Sequence, residues 1–163
     1  MKKILAAALI LAIVGAGFWF AMTPKMPAPL VTFNTLDDRQ IPLESLRGKV
    51  VLVKFWATSC VTCIRQMPDT TELYQTLGPQ GLEVIAVAMS YDPIEFVTRF
   101  TTTRNLPFVV APDKSGEIAK AFDDVKLTPI AFLIDREGNI VKRYLGMYDK
   151  QDLQSAIKKA LAG

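Results

Sequence analysis

Histidine is absent from all 163 residues. That excludes a histidine general base, histidine metal ligation and haem attachment through a CxxCH motif, which Ile64 interrupts. Cysteine is scarce: the chain has two, too few for a four-ligand zinc site or a framework of several disulfides. The formal net charge is only +3, and Lys2 and Lys3 carry two of those charges, so no basic footprint for nucleic acid is left. No internal repeat or low-complexity tract is present. The length allows one domain of ordinary size plus an appendage.

What is there begins with a hydrophobic block. Residues 4–24 carry no charge, and as a helix they would span about 31 Å, close to a bilayer core. The basic start Met1-Lys2-Lys3 keeps the N-terminus in the cytoplasm and sends the rest to the periplasmic side, as a single-pass protein of the cytoplasmic membrane. A cleaved signal peptide, cut after Gly17, is the competing reading. The block is long for one, and Phe18-Trp19-Phe20 suits an anchor's outer end. We therefore expect an uncleaved signal-anchor over residues 1–23, a proline-rich spacer over 24–29 and one domain over 30–163.

Within that domain, residues 30–33 and 39–42 read as a hairpin around Asp37-Asp38. Residues 50–55 form a nearly continuous apolar run, as expected of a strand covered on both faces, and 82–89 form a second. Helical patterns occupy 60–77, a segment through about 104 that Asp92-Pro93 is expected to cap, a short 117–122 and a last helix from Asp149. Residues 130–134 and 140–145 are strands joined by a turn-rich link. Strands alternating with helices, then a hairpin and a final helix, predict an α/β sandwich with a mixed central sheet and an N-terminal β-hairpin extension.

The chemistry lies in Cys60 and Cys63, a CxxC pair. It could be a dithiol redox centre, half a metal site, a structural disulfide or two unrelated thiols. Zinc lacks further ligands, and a bridge over so short a loop stabilises little. The motif follows an apolar strand and opens a helix, so Cys60 meets unpaired N–H groups and the positive end of the helix dipole. That setting favours a thiolate and makes Cys60 the attacking sulfur.

The run Lys54-Phe55-Trp56-Ala57-Thr58-Ser59-Cys60-Val61-Thr62-Cys63 with Met67-Pro68 resembles the active-site segment of the TlpA/ResA branch of the thioredoxin superfamily. Segments 81–87, 127–135 and 138–141 resemble the same branch in the same order. The resemblance implies a thioredoxin-like fold and a membrane-anchored thiol:disulfide oxidoreductase needing no cofactor or metal. It implies that Cys60 is the exposed nucleophile, Cys63 the buried resolving thiol and Pro129 a cis proline facing the disulfide, with Thr128 offering its backbone to substrate. A trans proline at a strand edge is the alternative. Trp56 is expected beside the site, either rimming the substrate surface or packed in the core.

Two residues depart from that pattern. Ser59 stands where many relatives carry tryptophan, and Lys54 stands where thioredoxin has a buried aspartate. A lysine in an apolar strand is costly unless paired. Glu83 interrupts the next apolar strand and matches an acidic residue that relatives place beneath the active site. We therefore expect Lys54 and Glu83 to approach each other below Cys63, with Glu83 relaying its proton and Lys54 holding the carboxylate ionised. The competing reading has Lys54 snorkelling to the surface and Glu83 merely solvated.

The function expected is reduction of disulfides in exported proteins, with electrons drawn from a membrane-embedded dithiol donor. One alternative is a non-catalytic periplasmic binding module, a chaperone or copper-thiolate carrier. A peroxiredoxin is another, but Val53 and Ala57 occupy its proline and threonine positions.

Overall fold

The structure is a computed structural model that describes residues 26–163. The expected anchor over residues 1–23 lies outside the described residues; among the described ones, no helix is long and apolar enough to cross a membrane. In chain order the elements are β1 (Met26–Pro27), β2 (Thr32–Asn34), β3 (Gln40–Pro42), a 3-10 turn (Leu43–Leu46), β4 (Val50–Trp56), α1 (Val61–Leu77), β5 (Leu82–Ala88), α2 (Ile94–Thr103), β6 (Val109–Pro112), α3 (Glu117–Ala121), β7 (Ile130–Ile134), β8 (Asn139–Leu145) and α4 (Lys150–Ala162).

Six strands make one sheet in the order β1-β8-β7-β4-β5-β6, and β2 pairs with β3 as a separate hairpin. β4, β5 and β6 run parallel, while β7, β8 and β1 join antiparallel, so the sheet is mixed as expected. All seven residues of β4 are buried because both faces are covered. The two-residue alternation of a strand sends Val50, Leu52 and Trp56 into one core with α1, α2 and α4, and Val51, Val53 and Phe55 into a second with the hairpin and α3.

Helix periodicity matches this division. α4 buries Leu153 and Ile157, four apart on one stripe, and each contributes about 1.5 to 3 kcal/mol by leaving water. On the other face Phe55, Phe122 and Phe132 meet edge to face or tilted, with ring centres 5.1 to 6.0 Å apart. The spacer expected over 24–29 is not wholly free: Met26 and Pro27 pair with Ile140 and Asn139 as an added edge strand, and the Ala28 N–H donates to the Gly138 carbonyl at 2.9 Å. Proline is tolerated there because an edge strand has a side that needs no donor.

Candidate active site

The site forms where β4 hands over to α1. β4 ends at Trp56, four residues turn the chain, and Cys60 becomes the N-cap of α1, its sulfur accepting the Cys63 N–H at 3.1 Å. Cys60 and Cys63 are joined as a disulfide. Cys63 is fully buried and Cys60 half-buried, so only the first sulfur can be approached from outside. No acidic residue stands in the first turn of this 17-residue helix, leaving the dipole's positive end unopposed there. The Thr62 hydroxyl lies 3.3 Å from the Cys60 sulfur.

The Thr128–Pro129 bond is cis. Ile130 pairs with Phe55, so Pro129 falls level with Trp56, at the end of the sheet that carries Cys60. Pro129 is buried and its carbonyl accepts the Gly146 N–H at 2.8 Å, a contact for which Gly146 adopts a positive φ of 77°. Thr128 is half-buried, and its hydroxyl lies 3.4 Å from that of Tyr91. Exposed apolar side chains gather around these segments: Val61 after Cys60, Tyr91, Leu127 before Thr128, and Met147 after Gly146.

Three expectations need correction. Trp56 does not rim a substrate surface: it is fully buried and packs on Phe100, with ring centres 5.3 Å apart. Its strand position directs it into the core shared with α1 and α2. Lys54 and Glu83 do not meet. Lys54 pairs in register with Ala86, so Glu83 lies three residues farther down β5 and, by strand alternation, on the opposite face. Glu83 instead pairs with Lys49 at 2.9 Å, at the end of the sheet away from Cys60. Nor does Asp92 cap its own helix: the N-cap of α2 is Pro93, and the Asp92 carboxylate accepts hydrogen bonds from Thr58.

Lys54 does not snorkel either. It is fully buried, with Nζ donating to the Thr70 hydroxyl at 3.1 Å and the Tyr148 hydroxyl at 3.4 Å and lying 5.1 Å from the Tyr148 ring centre. Its neighbours on the flanking strands, Ala86 and Ala131, are small enough to leave room for the long side chain. Burial pushes the ammonium down to about 7, with the Asp69 carboxylate pulling it back. Burial also pushes the Tyr148 phenol up to about 12, with the Thr70 hydrogen bond opposing it.

Sequence reading missed Gln66, which lies on the same buried stripe of α1 as Cys63 and Thr70. Its side-chain amide is buried without a hydrogen-bond partner among the described residues. The only sequence signal was a polar residue at an apolar helical phase, three positions after Cys63.

The chain matches the Redoxin family over residues 23–161. It is similar to the thiol-disulfide oxidoreductase ResA of Bacillus cereus, 34% identical over 145 residues that take in 86% of this chain and 83% of that protein. ResA of Geobacillus thermodenitrificans is 33% identical over 131 residues, 80% of this chain and 74% of that one. Among solved structures, a thioredoxin-family thiol:disulfide interchange protein from Chlorobium tepidum TLS superposes with a TM-score of 0.78 at 26% identity, covering 85% of this chain and 98% of the other. The family match takes in the strand, loop and helix that hold Cys60 and Cys63. By sequence and by fold, the chain belongs to the Redoxin family and, among the thioredoxin-like proteins, to the ResA-like thiol-disulfide oxidoreductases.

Proposed function

We propose that the Cys60/Cys63 pair reduces disulfides of exported proteins and is itself re-reduced by a membrane-embedded dithiol. The observation that carries the reading is the asymmetry of the pair: one sulfur half-buried at the start of α1, the other fully enclosed. In the reduced state the Cys60 thiolate attacks a substrate disulfide R–S–S–R′, forming Cys60–S–S–R and releasing R′–S⁻, which takes a proton. Cys63 then loses its proton and attacks the Cys60 sulfur, releasing R–S⁻ and leaving the Cys60–Cys63 disulfide. Two electrons have passed to the substrate, and a dithiol donor returns two.

The exposed Val61, Tyr91, Leu127 and Met147, next in sequence to Cys60, Asp92, Thr128 and Gly146, support a polypeptide substrate, since apolar contact lets a chain rest there while its cysteine exchanges. The uncharged block over residues 4–24 supports an anchor in the cytoplasmic membrane with the domain on its outer side. Replacing Cys63 with serine tests the assignment. The variant is expected to accumulate mixed disulfides on Cys60 in the cell, released by dithiothreitol. Absence of such adducts, or adducts that persist after Cys60 is also replaced, would sink it. For the direction of flow, alkylation with a mass tag is expected to find the wild-type pair mostly reduced, and a mostly oxidised pair contradicts reduction.

A further inference from the structure

We propose that Asp92 is a positioning residue for the attacking sulfur, because its carboxylate fixes the loop that delivers Cys60. The inference rests on Cys60 being that sulfur. Between the end of β4 and the start of α1 the chain has residues 57–60 in which to turn and place Cys60 at the helix N-cap. Within the turn, the Cys60 N–H donates to the Ala57 carbonyl at 3.1 Å.

The segment after β5 supports it from outside. The Met89 N–H donates to the Trp56 carbonyl at 3.0 Å. One Asp92 oxygen accepts the Thr58 backbone N–H at 2.6 Å, and the other accepts the Thr58 hydroxyl, also at 2.6 Å. Both oxygens are thus committed to a single residue two positions before Cys60.

The form of this contact matters. Hydrogen bonds to a carboxylate are stronger than neutral ones, and a two-point grip fixes rotation as well as distance. Asparagine would keep an oxygen for the Thr58 N–H and can donate its amide N–H to the Thr58 hydroxyl, so only a side chain without polar atoms, such as alanine, abolishes the grip. Asp92 is steadied in turn by its own N–H, which donates to the Met89 carbonyl at 3.0 Å. An aspartate just before a helix would ordinarily cap it; here α2 starts with no side-chain cap and the carboxylate faces the Cys60 loop instead.

The adjacent Tyr91 reaches the Thr128 hydroxyl at 3.4 Å, so one short segment touches both the Cys60 loop and the Pro129 loop. Small displacements of a nucleophile are costly in rate, and this segment sets where the sulfur sits relative to the surface a substrate occupies.

The test uses the full chain, reduced, in single-turnover reaction with a small aromatic disulfide, with folding checked by circular dichroism. Asp92→Ala and Thr58→Val are each expected to slow the reaction by about ten- to a hundredfold. Thr58→Ser, which keeps both donors, is expected to stay within about twofold of wild type, an order-of-magnitude bound set by the retained hydrogen bonds. The double variant Asp92→Ala/Thr58→Val is expected to be no slower than Asp92→Ala, which already removes both bonds to Thr58.

A wild-type rate for Asp92→Ala, a Thr58→Ser as slow as Thr58→Val, or multiplying effects in the double variant would overturn the proposal. If Asp92→Ala does not fold, the Thr58 pair decides alone. The Cys63→Ser trap separates the two levels. Without trapping on Cys60, the reading and this inference both fall; with trapping and an unaffected Asp92→Ala rate, only the inference does.

Discussion

Lys54 places a titratable group inside an otherwise apolar core, and its environment predicts a pH signature. Its ammonium is lowered to about 7 in the folded protein against 10.5 when free. Between those values the unfolded chain holds a proton that the folded one lacks, so this group favours folding more as pH rises through that window. Below pH 7 both states are protonated and the folded state bears the full cost of a buried ammonium. Replacing Lys54 with methionine is therefore expected to raise stability most below pH 7, with the advantage shrinking toward pH 10. Urea midpoints of both oxidised proteins at pH 6, 8 and 9.5 check it, and a pH-independent difference refutes it. The range stops short of 10 because Tyr148, pushed up to about 12, draws the other way above that pH. At Glu83 the expectation is a null effect: paired with Lys49 far from Cys60, its replacement by glutamine leaves disulfide-exchange rates unchanged from pH 6 to 9. The oddity of both charges was legible in the sequence, but their partners were not. Strand register decides which residues meet across a sheet, and a shift of three residues separates two side chains by about 10 Å and one face.

Among the elements, the short helix α3 depends on a residue outside it. Asp113 is 2% exposed, and its carboxylate accepts the N–H groups of Ile118 at 3.2 Å and Ala119 at 2.8 Å. Five residues cannot sustain a helix by propensity, so these two bonds and the burial of Ile118 and Ala119 hold it. Asp113→Ala is expected to cost about 2 kcal/mol in a denaturation experiment, since it leaves two buried donors without acceptors. No measurable loss would mean that α3 is held by packing alone. β4, β5, α1 and the β7–β8 hairpin were readable because their apolar patterns are long and unambiguous. β1 was not. Two residues carry no periodicity, and prolines that signal a spacer serve equally well on a sheet edge. Asp92 was misplaced for a related reason: Asp-Pro before a helical pattern is a strong cap signal, and nothing local reveals that Thr58 lies within reach.

Taken as a whole, the domain does not depend on its disulfide. Both faces of the sheet are packed into cores that draw on every layer, while the Cys60–Cys63 loop is among the shortest a disulfide can close. Reduction is therefore expected to lower stability by no more than about 2 kcal/mol, with the same cooperative urea transition. A reduced protein that melts in two steps contradicts this. Such independence suits a pair that must open and close in use. The fold class and the two cysteines were legible because they depend on patterns along the chain; Lys54's hydroxyl partners and the Thr58 grip depend on what the sheet brings together. The place of β4 in that sheet also has a consequence in time. Val51 pairs on one side with Glu83 and on the other with Ile134, so the central strand gains its first neighbour within a few dozen residues and its second only near the end of the chain. A polypeptide emerging from its N-terminus holds both cysteines of the redox pair well before β7 arrives to close the core. Oxidation of that pair can thus precede folding, and final closure waits for the last third of the chain.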